Sequence, residues 1–224
     1  MKIEENNTKI LHYVEKSYED KPSSIIEIDG TRYISNGCVF QKYTPENRKK
    51  LIKKFKCEEE LNKLDEAPAI LFSELVDGSH MFEGAKISSF DIDFPKLIDG
   101  SFMFEGARIG AFNADFPKLT DGYYMFGGAR IGAFNADFPK LTDGYYMFRG
   151  ARIGAFNADF PKLTDGSSMF EGARIGAFNA DFPKLTDGSS MFEGAKISSF
   201  DVGLPKREDG HAMLKEFSRE DNAV

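Results

Sequence analysis

Apolar residues recur along most of this chain with one fixed spacing. From residue 73 to residue 204 a 22-residue pattern of phenylalanine, leucine, methionine and isoleucine is written six times. Asp-Gly pairs mark the frame at Asp77-Gly78, Asp99-Gly100, Asp121-Gly122, Asp143-Gly144, Asp165-Gly166, Asp187-Gly188 and Asp209-Gly210. The segment Ala107 to Gly122 returns letter for letter at Ala129–Gly144, Ala151–Gly166 and Ala173–Gly188. A period of this length predicts a solenoid, because one unit cannot bury its apolar face alone and must stack on the next.

Within a unit, the run Ala111 to Phe116 alternates as a half-buried strand should. It predicts Phe112, Ala114 and Phe116 inward and Ala111, Asn113 and Asp115 outward. Pro117 ends that strand by withholding a ladder N–H, and Asp121-Gly122 turns the chain. Seventeen of the 22 phenylalanines fall in three columns, typified by Phe104, Phe112 and Phe116. Each column predicts a continuous aromatic stack, with Ile109, Leu119 and Met125 completing the lining. Gly106-Ala107 supplies small residues where the return path passes its neighbours. Coils stacked at roughly 4.8 Å turn equivalent residues into ladders. Asn113, Asn135, Asn157 and Asn179 form one, and Asp93, Asp115, Asp137, Asp159 and Asp181 another. Lysines from Lys96 to Lys206 and the arginines Arg108, Arg130, Arg152 and Arg174 form two more. Like charges this close repel, so each ladder needs an opposite ladder, water or a partner.

Residues 1–70 do not repeat and read as a small α/β N-terminal capping domain, with 71–224 as the solenoid and its C-terminal cap. Ser24–Ile28 and Arg32–Ile34 flank Asp29-Gly30, a hairpin dipeptide, and Asn36-Gly37 offers a second turn. Thr44-Pro45 reads as an N-cap and first helical residue. The helix expected after it carries Leu51, Ile52 and Phe55 on one side, with six cations between Arg48 and Lys56 as a solvated face. Past Leu204 the frame persists but gains charge, and His211 to Phe217 drifts into a polar tail, as an end cap requires.

The order Pro-x-Leu-Thr-x-Gly-x-x-Met-Phe-x-x-Ala, following an apolar strand, resembles the BspA type of leucine-rich repeat over residues 73 to about 214. The unit here is one residue shorter, phenylalanine replaces much of the leucine, and alanine stands at the usual cysteine position. The resemblance implies a mostly β, leucine-rich-repeat-like solenoid. It also implies a possible kinship with secreted adhesins.

A formal net charge of −7 argues against a general nucleic-acid binder. Two cysteines, Cys38 and Cys57, read as reduced structural thiols, with a single disulfide between them as the lesser alternative. The polar start has no apolar core of a secretory signal, which predicts a cytoplasmic protein. No apolar run has the length of a membrane span. His12, His80 and His211 match no zinc spacing, and no nucleophile elbow, phosphate loop or dinucleotide fingerprint occurs. The sequence therefore predicts no enzyme, no cofactor and no metal.

Departures from the repeat locate the candidate site. The two positions after Asp-Gly read Ser79-His80, Ser101-Phe102, Tyr123-Tyr124, Tyr145-Tyr146, Ser167-Ser168 and Ser189-Ser190. The position after Met-Phe reads Glu83, Glu105, Gly127, Arg149, Glu171 and Glu193. Tyr123, Tyr124, Tyr145, Tyr146 and Arg149 have the composition of an interface anchor. Plain duplication of one Tyr-Tyr unit would write the same letters. The expected function is protein binding, to a partner whose identity the letters do not give. One alternative is an acidic nucleic-acid mimic acting as an inhibitor or immunity protein, and another is a surface adhesin.

Overall fold

The computed structural model describes residues 2–4, 8–12, 24–28, 31–35, 40–47, 49–50 and 70–203. Six parallel strands, one per repeat, form its main sheet: β7 (Lys86–Asp91), β8 (Arg108–Asn113), β9 (Arg130–Asn135), β10 (Arg152–Asp159), β11 (Arg174–Asp181) and β12 (Lys196–Gly203). A seventh strand, β1 (Lys2–Glu4), pairs parallel with β7 and covers the edge of the first coil. Neighbours pair in strict register, Ile131 beside Ile153 and Phe134 beside Phe156, so every residue lies next to its own equivalents. The chain is a mostly β, parallel solenoid.

The alternation expected from Ala111 to Phe116 holds throughout. Phe112, Ala114 and Phe116 are buried, while Ala111, Asn113 and Asp115 are exposed. Immediately before that run Gly110 also faces out, next to Ala111, and pairing skips the glycine, passing from Ile109 beside Ile131 to Ala111 beside Ala133. The extra outward residue lets Ile109 and Phe112 both face the core.

Inside, the phenylalanine columns are continuous. In the strand column successive rings from Phe90 to Phe200 lie 4.9–5.3 Å apart, nearly parallel. The column of Phe104, Phe126 and Phe148 stands edge-on to it, with Phe104 and Phe112 5.1 Å apart at 85°. In-register stacking lines the rings of one column up parallel to one another, at spacings within the range of favourable aromatic pairs. The perpendicular contacts between columns add edge-to-face pairs. The third column starts one turn earlier than its repeats suggest, at buried Phe72, which meets Phe94 edge-on at 5.8 Å.

A second, weaker ladder runs through the aspartates, as isolated parallel bridges Asp77–Asp99, Asp99–Asp121, Asp143–Asp165 and Asp165–Asp187. Each of these aspartates caps its own turn. Asp77 Oδ1 accepts the Ser79 N–H at 2.9 Å, and the same bond recurs at Tyr123, Tyr145 and Ser189. The glycine that follows is buried; a Cβ on Gly144 would lie 2.9 Å from Met169 Sδ of the next coil. Gly106 has a different reason from the crowding expected there. A Cβ would meet nothing within 4 Å, and the residue is glycine because its φ is +63°.

Outside, the asparagine ladder is a chain of side-chain bonds. Asn113 Nδ2 donates to Asp91 Oδ1 at 2.9 Å, Asn135 to Asn113 at 2.9 Å, Asn157 to Asn135 at 2.7 Å, and Asn179 to Asn157 at 2.7 Å.

The N-terminal region contributes an antiparallel sheet in the order β5-β4-β3-β2-β6, from Phe40–Lys42, Thr31–Ser35, Ser24–Ile28, Thr8–His12 and Ile70–Leu71. Buried Ile26 joins the same apolar core as Phe72 and the first coils. Thr44 caps a 3-10 turn at Pro45–Asn47: its Oγ1 accepts the Asn47 N–H while Asn47 Oδ1 accepts the Thr44 N–H. Lys49 and Lys50 are helical. The Asp29-Gly30 and Asn36-Gly37 turns, Cys38, Cys57, the helix face at Leu51, Ile52 and Phe55, and the C-terminal cap beyond Gly203 lie outside the described residues.

Phe156 is ringed by Phe134, Phe148, Phe170 and Phe178 at 4.9–5.4 Å. Phe156→Ala should cost about 3–5 kcal/mol, read from urea denaturation. A loss under about 1 kcal/mol would contradict a stacked, close-packed interior.

Candidate binding surface

The tyrosines follow directly from the aspartate turn. In Tyr123 the N–H is held by Asp121 Oδ1 at 3.1 Å, and the next residue turns into left-handed backbone. Every coil does this, at His80, Phe102, Tyr124, Tyr146, Ser168 and Ser190, with φ between 52° and 59°. That conformation is costly for an aromatic residue and is held by the coils on either side. It throws the side chain outward, so these six residues form a row along the solenoid.

The row is aromatic over four coils. His80 stacks on Phe102 at 4.8 Å and 3°, Phe102 lies 5.6 Å from Tyr124, and Tyr124 meets Tyr146 edge-on at 6.3 Å. Arg149 continues it, with its guanidinium carbon 4.5 Å above the centre of the Tyr146 ring and Nη2 donating to Glu171 Oε1 at 2.8 Å. Burial works against the Arg149 charge, but the Glu171 carboxylate outweighs it and holds the guanidinium pKa above its ordinary value. Beside the row, Tyr123 and Tyr145 are 41% and 40% exposed, 6.1 Å apart. Tyr145 and Tyr146 pack within 3.9 Å, and a hydrogen bond between their side chains, followed by burial, raises the Tyr145 phenol pKa. All five residues singled out in the sequence thus share one surface. His80 and Phe102 extend it, and their signal was their place in the same variable slot.

Gly127 explains why two departures from the repeat coincide. A Cβ there would lie 2.1 Å from Tyr124 Cδ1, so the ring rests directly on the glycine backbone. In the following coil Arg149 takes that position and covers Tyr146 instead. In both coils the residue after Met-Phe lies in direct contact with the tyrosine of its own unit.

Between these two coils the aspartate ladder breaks. Elsewhere Gly100 N–H donates to Asp121 O and Gly144 N–H to Asp165 O, both at 2.8 Å, and Thr164 N–H donates to Thr142 O at 3.0 Å. Among the described residues no such bond joins Gly122 to Asp143 or Thr142 to Thr120, and no bridge joins Asp121 to Asp143; the bond from Tyr124 to Tyr145 is missing as well, as is the one from Tyr146 to Ser167. Closer to the core the coils stay joined, with Phe126 N–H on Met147 O at 2.8 Å. The result is a local cleft of about 360 Å³ lined by Thr120, Asp121, Tyr123, Asp143 and Tyr145. It lies where tyrosine fills both slots of two successive coils, and rings 6.1–6.3 Å apart replace the 5.1 Å core spacing of Phe126 and Phe148.

Two other features complete the surface. His80 Nδ1 lies 2.9 Å from Glu83 Oε2, and with Glu105 these side chains bring three metal-capable atoms within 4.8 Å of one another. They are half-buried and join the end of the aromatic row. On another side, the aspartates Asp115 to Asp181 and the prolines Pro117 to Pro183 line a groove of about 400 Å³. Burial, then the like charges of Asp137 and Asp93, raise the Asp115 pKa, against a lowering by the Asp137 N–H on its carboxylate.

No family model, curated protein or solved structure matches this chain. Among the described residues no helix is long and apolar enough to cross a membrane.

Gly127→Ala should push the Tyr124 ring off the backbone. The expected loss is about 1–2 kcal/mol with a changed tyrosine signal in near-ultraviolet circular dichroism; an unaltered spectrum and stability would refute the packing. A second measurement concerns Asp115. Its raised pKa means the folded chain binds more protons than the unfolded one just above the ordinary aspartate range, so its contribution to stability falls as pH rises through that window. In dilute solution Asp115→Asn should slightly raise the melting temperature at neutral pH, and the gain should vanish in acid below that range.

Proposed function

We propose that this chain is a non-enzymatic protein-binding module whose recognition surface is the tyrosine-lined cleft between the coils of Asp121 and Asp143. The observation that carries the reading is the break itself. Three backbone contacts that the other described coils keep are given up beside two exposed tyrosines. The N–H of buried Gly122 finds no protein acceptor among the described residues. Leaving such groups unpaired costs stability, so the interior of a repeat array is an unfavourable place for it unless something outside completes the bonding.

The chemistry of the cleft indicates what the partner brings. Asp121 and Asp143 each commit Oδ1 to a tyrosine N–H and leave the second oxygen available to the cleft. Two carboxylates between aromatic faces suit a cationic side chain, held by charge and by the ring quadrupoles. Tyr124, Tyr146 and Arg149 would flank that contact with area and a polar rim. The repeat resembles the BspA type of leucine-rich repeat, and we infer membership of that class from the motif in each coil.

The test is photo-crosslinking from position 123 in extract of the native host, with binding of the captured protein then measured on purified chains. Replacing Tyr123, Tyr124, Tyr145 and Tyr146 with serine, as in the units of Ser167 and Ser189, should weaken binding by on the order of a hundredfold. The fold, read by circular dichroism, should be unchanged. Equal capture and equal affinity for the folded serine variant would overturn the reading.

A further inference from the structure

The outward face of the parallel sheet carries charge in an unusual arrangement. Each strand begins with a cation, in the row Lys86, Arg108, Arg130, Arg152, Arg174 and Lys196, held in register by strand pairing. Among the described residues no carboxylate comes within ion-pair distance of Arg108, Arg130, Arg152 or Arg174. The aspartates Asp93, Asp115, Asp137, Asp159 and Asp181 run along the opposite border, and from Asp115 onward they line the groove with the prolines. Seven residues of strand at roughly 3.3 Å each put about 20 Å between the rows, beyond the ~8 Å over which salt lets exposed charges interact. Neither row can neutralise the other within one molecule.

Between the borders the face has relief. The outward positions Gly110 and Ala111, with their equivalents, make a shallow trough, and the bonded asparagines Asn113 to Asn179 make a ridge. The order across the face is cation, trough, ridge, acid. Turned about a two-fold axis parallel to the stack of coils, a second copy presents acid, ridge, trough, cation. Each arginine then meets an aspartate row, and each asparagine ridge enters a glycine trough. Turned about the strand direction instead, arginine would face arginine. Only one orientation is complementary.

We propose that this face is a two-fold self-association surface. In it the arginines of one copy enter the aspartate–proline groove of the other at the same coil, so that Arg130 meets the acid row at Asp137 and Arg152 meets it at Asp159. The groove of about 400 Å³ has room for the planar guanidinium groups, which pair with carboxylates and stack on proline rings. Six strands at about 4.8 Å give a face on the order of 650 Å² per copy, close to the roughly 800 Å² that each partner buries in a stable complex. The tyrosine cleft lies in the segment between the aspartate turn and the next strand, so the dimer leaves it open.

Sedimentation equilibrium tests this on the full chain. At low salt the wild type should approach twice the 25.1 kDa chain mass, and high salt should dissociate it. The pair Arg130→Asp with Arg152→Asp should weaken association by on the order of a hundredfold, and so should Asp137→Arg with Asp159→Arg. Mixing the two variants should restore a heterodimer, because each then faces opposite charge in both rows. Circular dichroism and melting of each variant alone confirm that it is folded. A wild type that stays monomeric at every concentration in low salt would overturn the proposal and leave the face to an unrelated protein. Folded variants that dimerise like wild type, or that fail to rescue one another, would overturn it equally.

Discussion

Everything in this molecule depends on in-register parallel stacking, which places each residue against copies of itself. For an apolar side chain that is a gain, because a ring fitting one neighbour fits them all, and three phenylalanine columns follow from one 22-residue rule. For asparagine it is also a gain, because an amide donates and accepts and can bond its own kind without end. For a charge it is a loss. The same constraint thus fills the interior, ties one exterior row, and leaves the arginine and aspartate rows in need of something else.

Departures from the repeat concentrate where the constraint can be relaxed. Serine in the slots after Asp-Gly leaves the aspartate ladder closed, with Ser168 N–H on Ser189 O at 3.0 Å. Where tyrosine fills both slots of two coils the ladder is interrupted, while the phenylalanine core beneath keeps its spacing. A fold of identical parts thereby acquires one distinct place. The glycine at 127 and the arginine at 149 are the two ways the following position adapts to a ring lying over it.

Much of this was legible in the letters. Period, aromatic columns, inward and outward residues at the strand end, and the turn role of each aspartate are local properties, repeated often enough to remove ambiguity. The tyrosines and Arg149 were visible as exceptions for the same reason. Three features were not. The second outward residue at Gly110 breaks an alternation that pattern alone would continue. The break between Asp121 and Asp143 coincides with tyrosine in both slots of two successive coils, and no single position records it. The pairing of Lys2–Glu4 with the first coil links segments more than eighty residues apart, and three letters of strand carry no signal for so distant a partner.

That last pairing bears on how the chain is made. Lys2–Glu4 and the antiparallel sheet precede the coils in sequence, so they leave the ribosome first. The opening coil therefore has its partner strand at hand when it emerges, and each later unit has an earlier one to settle on. Growth from one end spares the newborn chain a search among six near-identical registers, any of which would satisfy the phenylalanines.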